Sequence, residues 1–338
     1  MKAVVLDNPG KFRWADTPHP GKPGRGEVLL KVRHLSICGT DLHAFKGRQP
    51  FFSYPRILGH EIAAEVIEVG EGVSGILPGD LCSVEPYRNP VMDQAVKRGK
   101  TNCGSQLTVL GVHEDGAMRE YFVYQAANIH VTRGLHPDKV ALIEPLAIAC
   151  HAIERAALSD DDTVLVIGAG PIGIAIIALA RLSGLKIISL DVNRNRLDFV
   201  KDKYPETETL LLTDKIVDDL QTLLNSDLPT VIFDATGNKT SMQNSFNYVA
   251  PGGTIVFVGL FVGDVVFDDP NFHRKEITLM ASRSARSRDF KKVIELLTLN
   301  KIDTSGFITH RIPFQNIVEE FEKLYLPEEN VIKAIIDF

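Results

Sequence analysis

Cysteine is scarce in this chain and scattered: the four residues, Cys38, Cys82, Cys103 and Cys150, include no close pair. That spacing argues against a disulfide framework. Basic residues do not dominate, since 37 Lys and Arg face 43 Asp and Glu for a net charge of -6, and neither sign forms a block. No nucleic-acid partner is expected. Repeats and low-complexity runs are also missing. The most apolar helical stretch, Ile172 to Leu182, is too short to cross a bilayer, so no membrane span is expected. The opening Met1-Lys-Ala-Val-Val-Leu6 reads as a short strand, without the apolar segment and cleavage site of an export signal. A cytoplasmic protein is the expectation.

What is present is enough chain for two domains, 338 residues of ordinary globular composition. Up to about residue 150 the texture is β-rich and irregular, with Val28 to Arg33 alternating as a half-exposed strand and prolines and glycines on either side. Strand candidates then follow at 163–167, 186–190, 209–212, 230–233, 254–258 and 276–281. Helical stretches separate them, except before the last, which follows a long loop. This pattern predicts an α/β fold with a doubly wound parallel sheet. After about 285 a helix over Arg288 to Asn300 and a mixed tail return to the first texture. The expected domains are 1–148 and 286–338, forming one β-rich unit, with 149–285 inserted between them.

The first strand of the inserted unit leads into Gly168-Ala-Gly-Pro-Ile-Gly173, a G-x-G-x-x-G turn. Gly168 permits the turn, Gly170 lets a pyrophosphate approach the backbone, and Gly173 lets the helix pack on its strand. Pro171 suits the first helical turn, where its missing N–H loses no partner, and Ile172 follows it. The next strand ends in Asp191, placed to accept hydrogen bonds from a ribose and to repel a 2′-phosphate. NAD is therefore expected in preference to NADP. Arg194 and Arg196 follow closely and could host a phosphate, or serve as solvated helix residues or a stack on adenine. Arg196 is counted with the cofactor-binding candidates, as are Thr236 and Gly259.

A second constellation collects metal-ligand chemistry: Cys38-Gly-Thr40-Asp41-Leu-His43, then Gly59-His60-Glu61, then Glu144-Pro-Leu-Ala. A thiolate, an imidazole and a carboxylate are zinc ligands, and the third protein ligand could be Glu61 or Glu144. Taken singly, each residue has an ordinary reading: a buried small hydrophobe, a satisfied core histidine, a helix start. Asp41 could orient the His60 imidazole or simply cap a turn or helix.

With these motifs in this order, the chain resembles the zinc-dependent medium-chain alcohol dehydrogenases along essentially its whole length. Within that family, Gln49 to Glu61, Gly111-Val-His-Glu-Asp-Gly116, Asp268 to Glu276 and Ser282-Arg-Ser-Ala285 resemble the bacterial branch of hexonate dehydrogenases. That branch includes L-galactonate and L-gulonate 5-dehydrogenases and the starvation-sensing oxidoreductases. The resemblance implies a GroES-like catalytic domain with a Rossmann domain, and a homodimer or homotetramer. It implies metal ligands Cys38, His60, Glu61 and Glu144, and hydride transfer from a secondary alcohol of a sugar acid to NAD. Thr40 would take the substrate proton, His43 would relay it to solvent, and Glu61 would share in catalysis.

Two readings compete with the hexonate one. A polyol dehydrogenase of the sorbitol type has the same Glu-rich metal site, and a carboxylate anchor separates the two, with Arg56, Arg88, Arg283 and Arg286 as candidates. A reading of another class is a sensor that binds NAD and a sugar acid without turnover, or a zinc-free reductase of the same fold; the complete set Cys38, Thr40, His43 and His60, which zinc-free relatives lack, favours an active dehydrogenase. The chain departs from the family at Ala64, where glycine is preferred, and between Pro86 and Cys103. There the relatives' cysteine-rich lobe is represented by Pro90, Asp93, Val96 and Cys103. Those residues cannot hold a structural zinc, so one catalytic zinc per chain is expected, with Cys103 a free thiol and residues 88 to 104 more mobile or differently folded.

Overall fold

The computed structural model describes residues 1–50 and 52–338. Phe51, inside the Gln49 to Glu61 stretch, lies outside the described residues. The chain divides into two compact units, Met1–Ala147 with Ala285–Phe338, and Ile148–Ser284.

In the first unit the apolar-rich stretch Glu27–Ile37, with Lys31 and Arg33 partly exposed, becomes the hub strand of a seven-stranded sheet. Its first half pairs antiparallel with Tyr121–Gln125, its second half with Lys333–Asp337, and both halves with Glu61–Val69. Ile308–Pro313 lies parallel beside Lys333–Asp337, so the C-terminal tail completes this sheet. Register matters here, because it sets Ser36 opposite Glu61 and Ile37 opposite Ala334. Residues distant in sequence thereby meet at one end of the hub strand. Beneath it, Phe12, Phe45 and Phe321 pack with ring centroids 5.0–5.2 Å apart, fixing the Gly39–Phe45 helix against the tail. Ala64 is fully buried on the neighbouring strand, paired with Val32 and Cys82.

Residues 88 to 104 are ordered by polar side chains. Asp93 caps the short Gln94–Lys97 helix by accepting from the Val96 N–H at 2.9 Å, and it also accepts from the Ser105 N–H at 2.6 Å. Backbone donors hold this carboxyl down at about 2, the Ser105 N–H foremost and the Val96 N–H next. Asn89 closes the other side, donating to the Thr101 carbonyl at 2.8 Å. Cys103 is an exposed free thiol.

The second unit is a six-stranded parallel sheet. Its spatial order is Glu208–Leu211, Lys186–Asp191, Thr163–Ile167, Val231–Asp234, Thr254–Phe257, Thr278–Ala281. Third, second, first, fourth, fifth, sixth is the doubly wound order, and all six expected strands are present. The expected long loop before the last strand is instead broken by a helix, Asp269–Arg274. Asp268 caps it, accepting from the Asn271 N–H at 3.0 Å, and Pro270 falls in the first turn, where it helps rather than hinders. No helix among the described residues is long and apolar enough to cross a membrane.

Candidate active site

The metal-ligand candidates gather at the end of the hub strand. Cys38 follows Ile37 directly and caps the Gly39–Phe45 helix, while His60 and Glu61 open the next strand. A thiol sulfur, an imidazole nitrogen and a carboxylate oxygen from Cys38, His60 and Glu61 lie within 4.8 Å of one another. That span suits ligands spaced around one ion with bonds of about 2.0–2.3 Å. Asp41 ties the two ligand segments together: its carboxylate accepts from the Cys38 N–H at 2.9 Å and from the Gly59 N–H at 3.3 Å. It also stands 3.8 Å from His60 Nδ1, which has no hydrogen-bond partner among the described residues. Both readings of Asp41 therefore describe part of its surroundings, helix capping by hydrogen bonds and a carboxylate facing His60 by charge.

The approach to His60 is fixed by close backbone packing. Gly116 donates to the Ile57 carbonyl at 2.7 Å, and Met118 to that of Leu58 at 2.9 Å. A Cβ on Gly116 would stand 2.4 Å from the Leu58 oxygen, so only glycine fits. Asp115 accepts from the Ile57 N–H at 3.0 Å. The Gly111 to Gly116 stretch is thus the template against which the His60 segment is laid.

Around the cluster the charges are strongly coupled. Burial alone would lower the His60 pKa, but the charges of Asp41, Cys38 and Glu144 outweigh it and hold the imidazole well above its ordinary value. Burial opposes ionisation of Glu61, yet Lys333, with His60 and Ser36, keeps its carboxyl below the usual range. The Lys333 Nζ reaches both Glu61 oxygens, at 2.8 and 2.7 Å, and also the Ile37 carbonyl at 3.3 Å, while the Ser36 hydroxyl donates to Oε2. Glu144 begins the Ile143–Ala156 helix, with Pro145 in its first turn. Burial, together with the Glu61 charge, pushes the Glu144 pKa up to about 7 against the opposing pull of His60, Tyr87 and Lys333. Glu144 stands outside the 4.8 Å group and accepts a hydrogen bond from the Tyr87 phenol. A half-buried thiol with a buried imidazole and two buried carboxylates, facing one lysine, is a donor set that fits a divalent zinc ion.

Thr40 is half-buried in the first turn of the helix. His43 is exposed three residues on, and burial, then the Arg48 charge, lowers its pKa. Of the arginines, Arg56 donates to Ser53 at 2.9 Å and sits 3.5 Å from Asp115. Arg88 lies 3.3 Å from Glu114 and over the Tyr124 ring, and Arg286 pairs with Asp289 at 3.6 Å. Arg283 belongs to the second unit.

In the second unit the Gly168 turn has the geometry its spacing requires. Gly168 has φ +95, which favours glycine, and a Cβ on Gly173 would lie 1.7 Å from the Gly168 carbonyl. Gly170 is different: a Cβ there would meet only Arg196 Nη1, at 3.7 Å, so the space over the helix N-terminus is open. Asp191 accepts from the Ala169 N–H at 2.6 Å and from the Asn193 N–H at 2.7 Å, which stitches the turn to the end of the Lys186–Asp191 strand. Each carboxylate oxygen keeps a further lone pair for a hydroxyl. Thr236 donates from both its N–H and its hydroxyl to Asp234, at 2.9 and 2.6 Å, and its methyl backs Gly168. Gly259 packs on the Gly237 backbone, where a Cβ would lie 2.2 Å from the nitrogen. An open glycine turn, a helix N-terminus and an adjacent carboxylate fit a dinucleotide.

Comparison with known proteins agrees with this geometry. Residues 24–133 match the alcohol dehydrogenase GroES-like domain, and residues 171–298 match the zinc-binding dehydrogenase domain. The L-galactonate-5-dehydrogenase of Escherichia coli strain K12 is 40% identical over 342 residues, covering 100% of this chain and 99% of that protein. The chain belongs to the zinc-type medium-chain alcohol dehydrogenase family. Sorbitol dehydrogenase of Gallus gallus is 30% identical, covering 95% of this chain and 92% of the other. A crystal structure of an alcohol dehydrogenase (rspB) from E. coli CFT073, complexed with NADH, superposes with a TM-score of 0.93 at 28% identity, covering 100% and 99% of the two chains.

This alcohol dehydrogenase also uses residues that sequence reading passed over. Lys333, Ser36 and Tyr87 all touch the candidate ligands, and none belongs to a motif. A signal for Lys333 was available: it is the lone charge in the apolar run Val331-Ile-Lys-Ala-Ile-Ile336, and a buried lysine needs an anion. Tyr87 carries no comparable sequence signal.

Proposed function

We propose that this dehydrogenase oxidises the C5 hydroxyl of a hexonate such as L-galactonate or L-gulonate, with NAD as hydride acceptor. Full-length similarity at 40% identity to an L-galactonate-5-dehydrogenase carries the substrate assignment. The catalytic domain is 1–148 with 286–338, the NAD domain is 149–285, and the enzyme is cytoplasmic. It is a homodimer or homotetramer, supported by the outermost strand Thr278–Ala281, on which Leu279 is exposed.

Cys38, His60 and Glu144 are the protein ligands in this reading. Glu61 is held back, since both of its oxygens are engaged by Lys333 and one also by Ser36. Zinc at this position supplies Lewis acidity toward the substrate oxygen and lowers the pKa of the hydroxyl. The Thr40 hydroxyl accepts the departing proton, and the exposed His43, neutral because its pKa is lowered, receives it and releases it to solvent. Asp41 holds the Cys38 and Gly59 backbones in register for this work.

The test is a screen of epimeric hexonates against the matching hexitols, following absorbance of reduced NAD. A charged contact to the carboxylate contributes about 1.5–3 kcal/mol, so hexonates are expected to exceed hexitols in kcat/KM by at least about tenfold. Equal or better rates on hexitols would favour the polyol reading, which similarity to sorbitol dehydrogenase keeps in view.

Cofactor choice has its own test. Asp191→Ser removes the carboxylate that would repel a 2′-phosphate and leaves Arg196 beside Gly170, so the ratio of kcat/KM for NADP over NAD should rise by about tenfold or more. An unchanged ratio would mean that Asp191 does not meet the ribose.

A further inference from the structure

Tyr87 lies outside every motif, yet its phenol is in contact with the cluster. Its ring is buried, and its hydroxyl donates to Glu144 Oε1.

The rest of the residue is fixed on several sides. Its carbonyl accepts from Asn128 Nδ2 at 2.8 Å, and the same amide donates to the Glu85 carbonyl at 3.2 Å. Tyr87 pairs across an antiparallel bridge with Val109, and the preceding Pro86 carbonyl accepts from the Leu110 N–H at 2.9 Å. The ring meets Phe290 edge-on, with centroids 6.4 Å apart, and Phe290 is itself stacked on His130 at 5.0 Å. Two residues beyond Tyr87, Asn89 is bonded to Thr101 and so anchors the lobe that Asp93 closes. A side chain held this way has lost its rotamer freedom before any ligand arrives.

We propose that Tyr87 is a positioning residue for the metal site, selecting which oxygen of Glu144 is free to ligate by occupying the other. The inference rests on Glu144 being a direct ligand. By taking up Oε1, the phenol leaves Oε2 as the ligating atom and prevents the carboxylate from turning about its terminal bond. The lobe, ordered by Asn89 and Asp93, serves the metal site through this one hydroxyl.

The experiment uses the full chain, stripped with a chelator and titrated with zinc against a chromophoric competitor. Tyr87→Phe, Glu144→Ala and the double variant are compared with wild type. Removing an outer partner of a ligand weakens metal affinity by about 10–100-fold, which is the loss expected for Tyr87→Phe. In the Glu144→Ala background the same change should alter affinity less than about twofold, because the two residues act as one unit. The cobalt-loaded Tyr87→Phe protein should show shifted d–d bands, a readout of ligand geometry that a purely structural role would not move. NAD affinity, read by fluorescence, reports that each variant is folded. Wild-type zinc affinity in Tyr87→Phe, alongside a loss in Glu144→Ala, would overturn the assignment, as would losses that multiply in the double variant. Wild-type affinity in Glu144→Ala would instead remove Glu144 as a ligand, and the role of Tyr87 with it.

Discussion

Cys38→Ser should bind no zinc and lose at least about a thousandfold in kcat/KM, while its affinity for NAD stays at the wild-type value. Serine keeps the size of the side chain but presents a neutral hydroxyl where the site has its only thiol, leaving an imidazole and carboxylates to hold the ion. Lewis-acid stabilisation is worth several kcal/mol, and each 1.36 kcal/mol is about tenfold in rate, which sets the scale of the loss. NAD should be indifferent, because the Gly168 turn proposed to meet its phosphates through backbone N–H groups belongs to the other unit. Elemental analysis after gel filtration gives the metal count, and steady-state kinetics gives the rate. Wild type should carry one zinc per chain and the variant none. Turnover of the variant at the wild-type rate would refute the site. Two tightly held ions in wild type would refute the reading of residues 88 to 104, whose Pro90 and Val96 offer no ligand.

Lys333→Met should destabilise the metal-free protein by about 3–5 kcal/mol, the penalty for stripping one partner from a buried ion pair. The two side chains are 4% and 1% exposed, so neither water nor salt replaces the lost amine. Glu61 would keep only the Ser36 hydroxyl. Changing Glu61→Gln in the same chain removes the stranded charge and should recover a good part of the loss. The pH dependence has a definite sign. Glu61 is held below its ordinary pKa, so its share of the stability is complete above the ordinary carboxylate range and lost as pH falls through the depressed value. Lys333 is raised: burial alone would lower it, but the Glu61 charge, with that of Cys38, prevails. Its share is complete below the ordinary lysine value and lost as pH rises through the raised one. The variant's deficit is therefore greatest around neutrality and shrinks in acid, where Glu61 takes a proton. Urea unfolding across that range would show it. A deficit below about 1 kcal/mol at neutral pH would mean that the pair contributes little.

Much of this was legible in the residues, for identifiable reasons. The parallel strands announce themselves as short β-branched runs, since a strand covered on both faces has no polar side to display. The clustering of Cys38, His60 and Glu61 was legible as chemistry, because thiol, imidazole and carboxylate are the ligand types that one metal ion takes. What could not be read is whatever depends on register. Ser36 meets Glu61 only because the hub strand pairs as it does, and Lys333 arrives from the far end of the chain across another strand boundary. No local pattern encodes either meeting. The Asp269–Arg274 helix was missed for a different reason: it is six residues long and carries at its second position a proline, Pro270, that reads as loop when its place in the first turn is unknown. Asp191 was singled out by its distance from the glycines, but its grip on the Ala169 N–H, which shapes the turn, is a tertiary contact.

The carboxylate of Asp41 bridges the backbones at Cys38 and Gly59 through bonds supplied by the chain itself. Proteins whose ligands meet only when the metal draws them together unfold under a chelator. Here protein bonds also join the two arms of the site, so a chelator is expected to leave a folded, dormant chain that can be recharged. Zinc supply would then set how much of the existing protein is switched on, and would have little influence on how much of it survives.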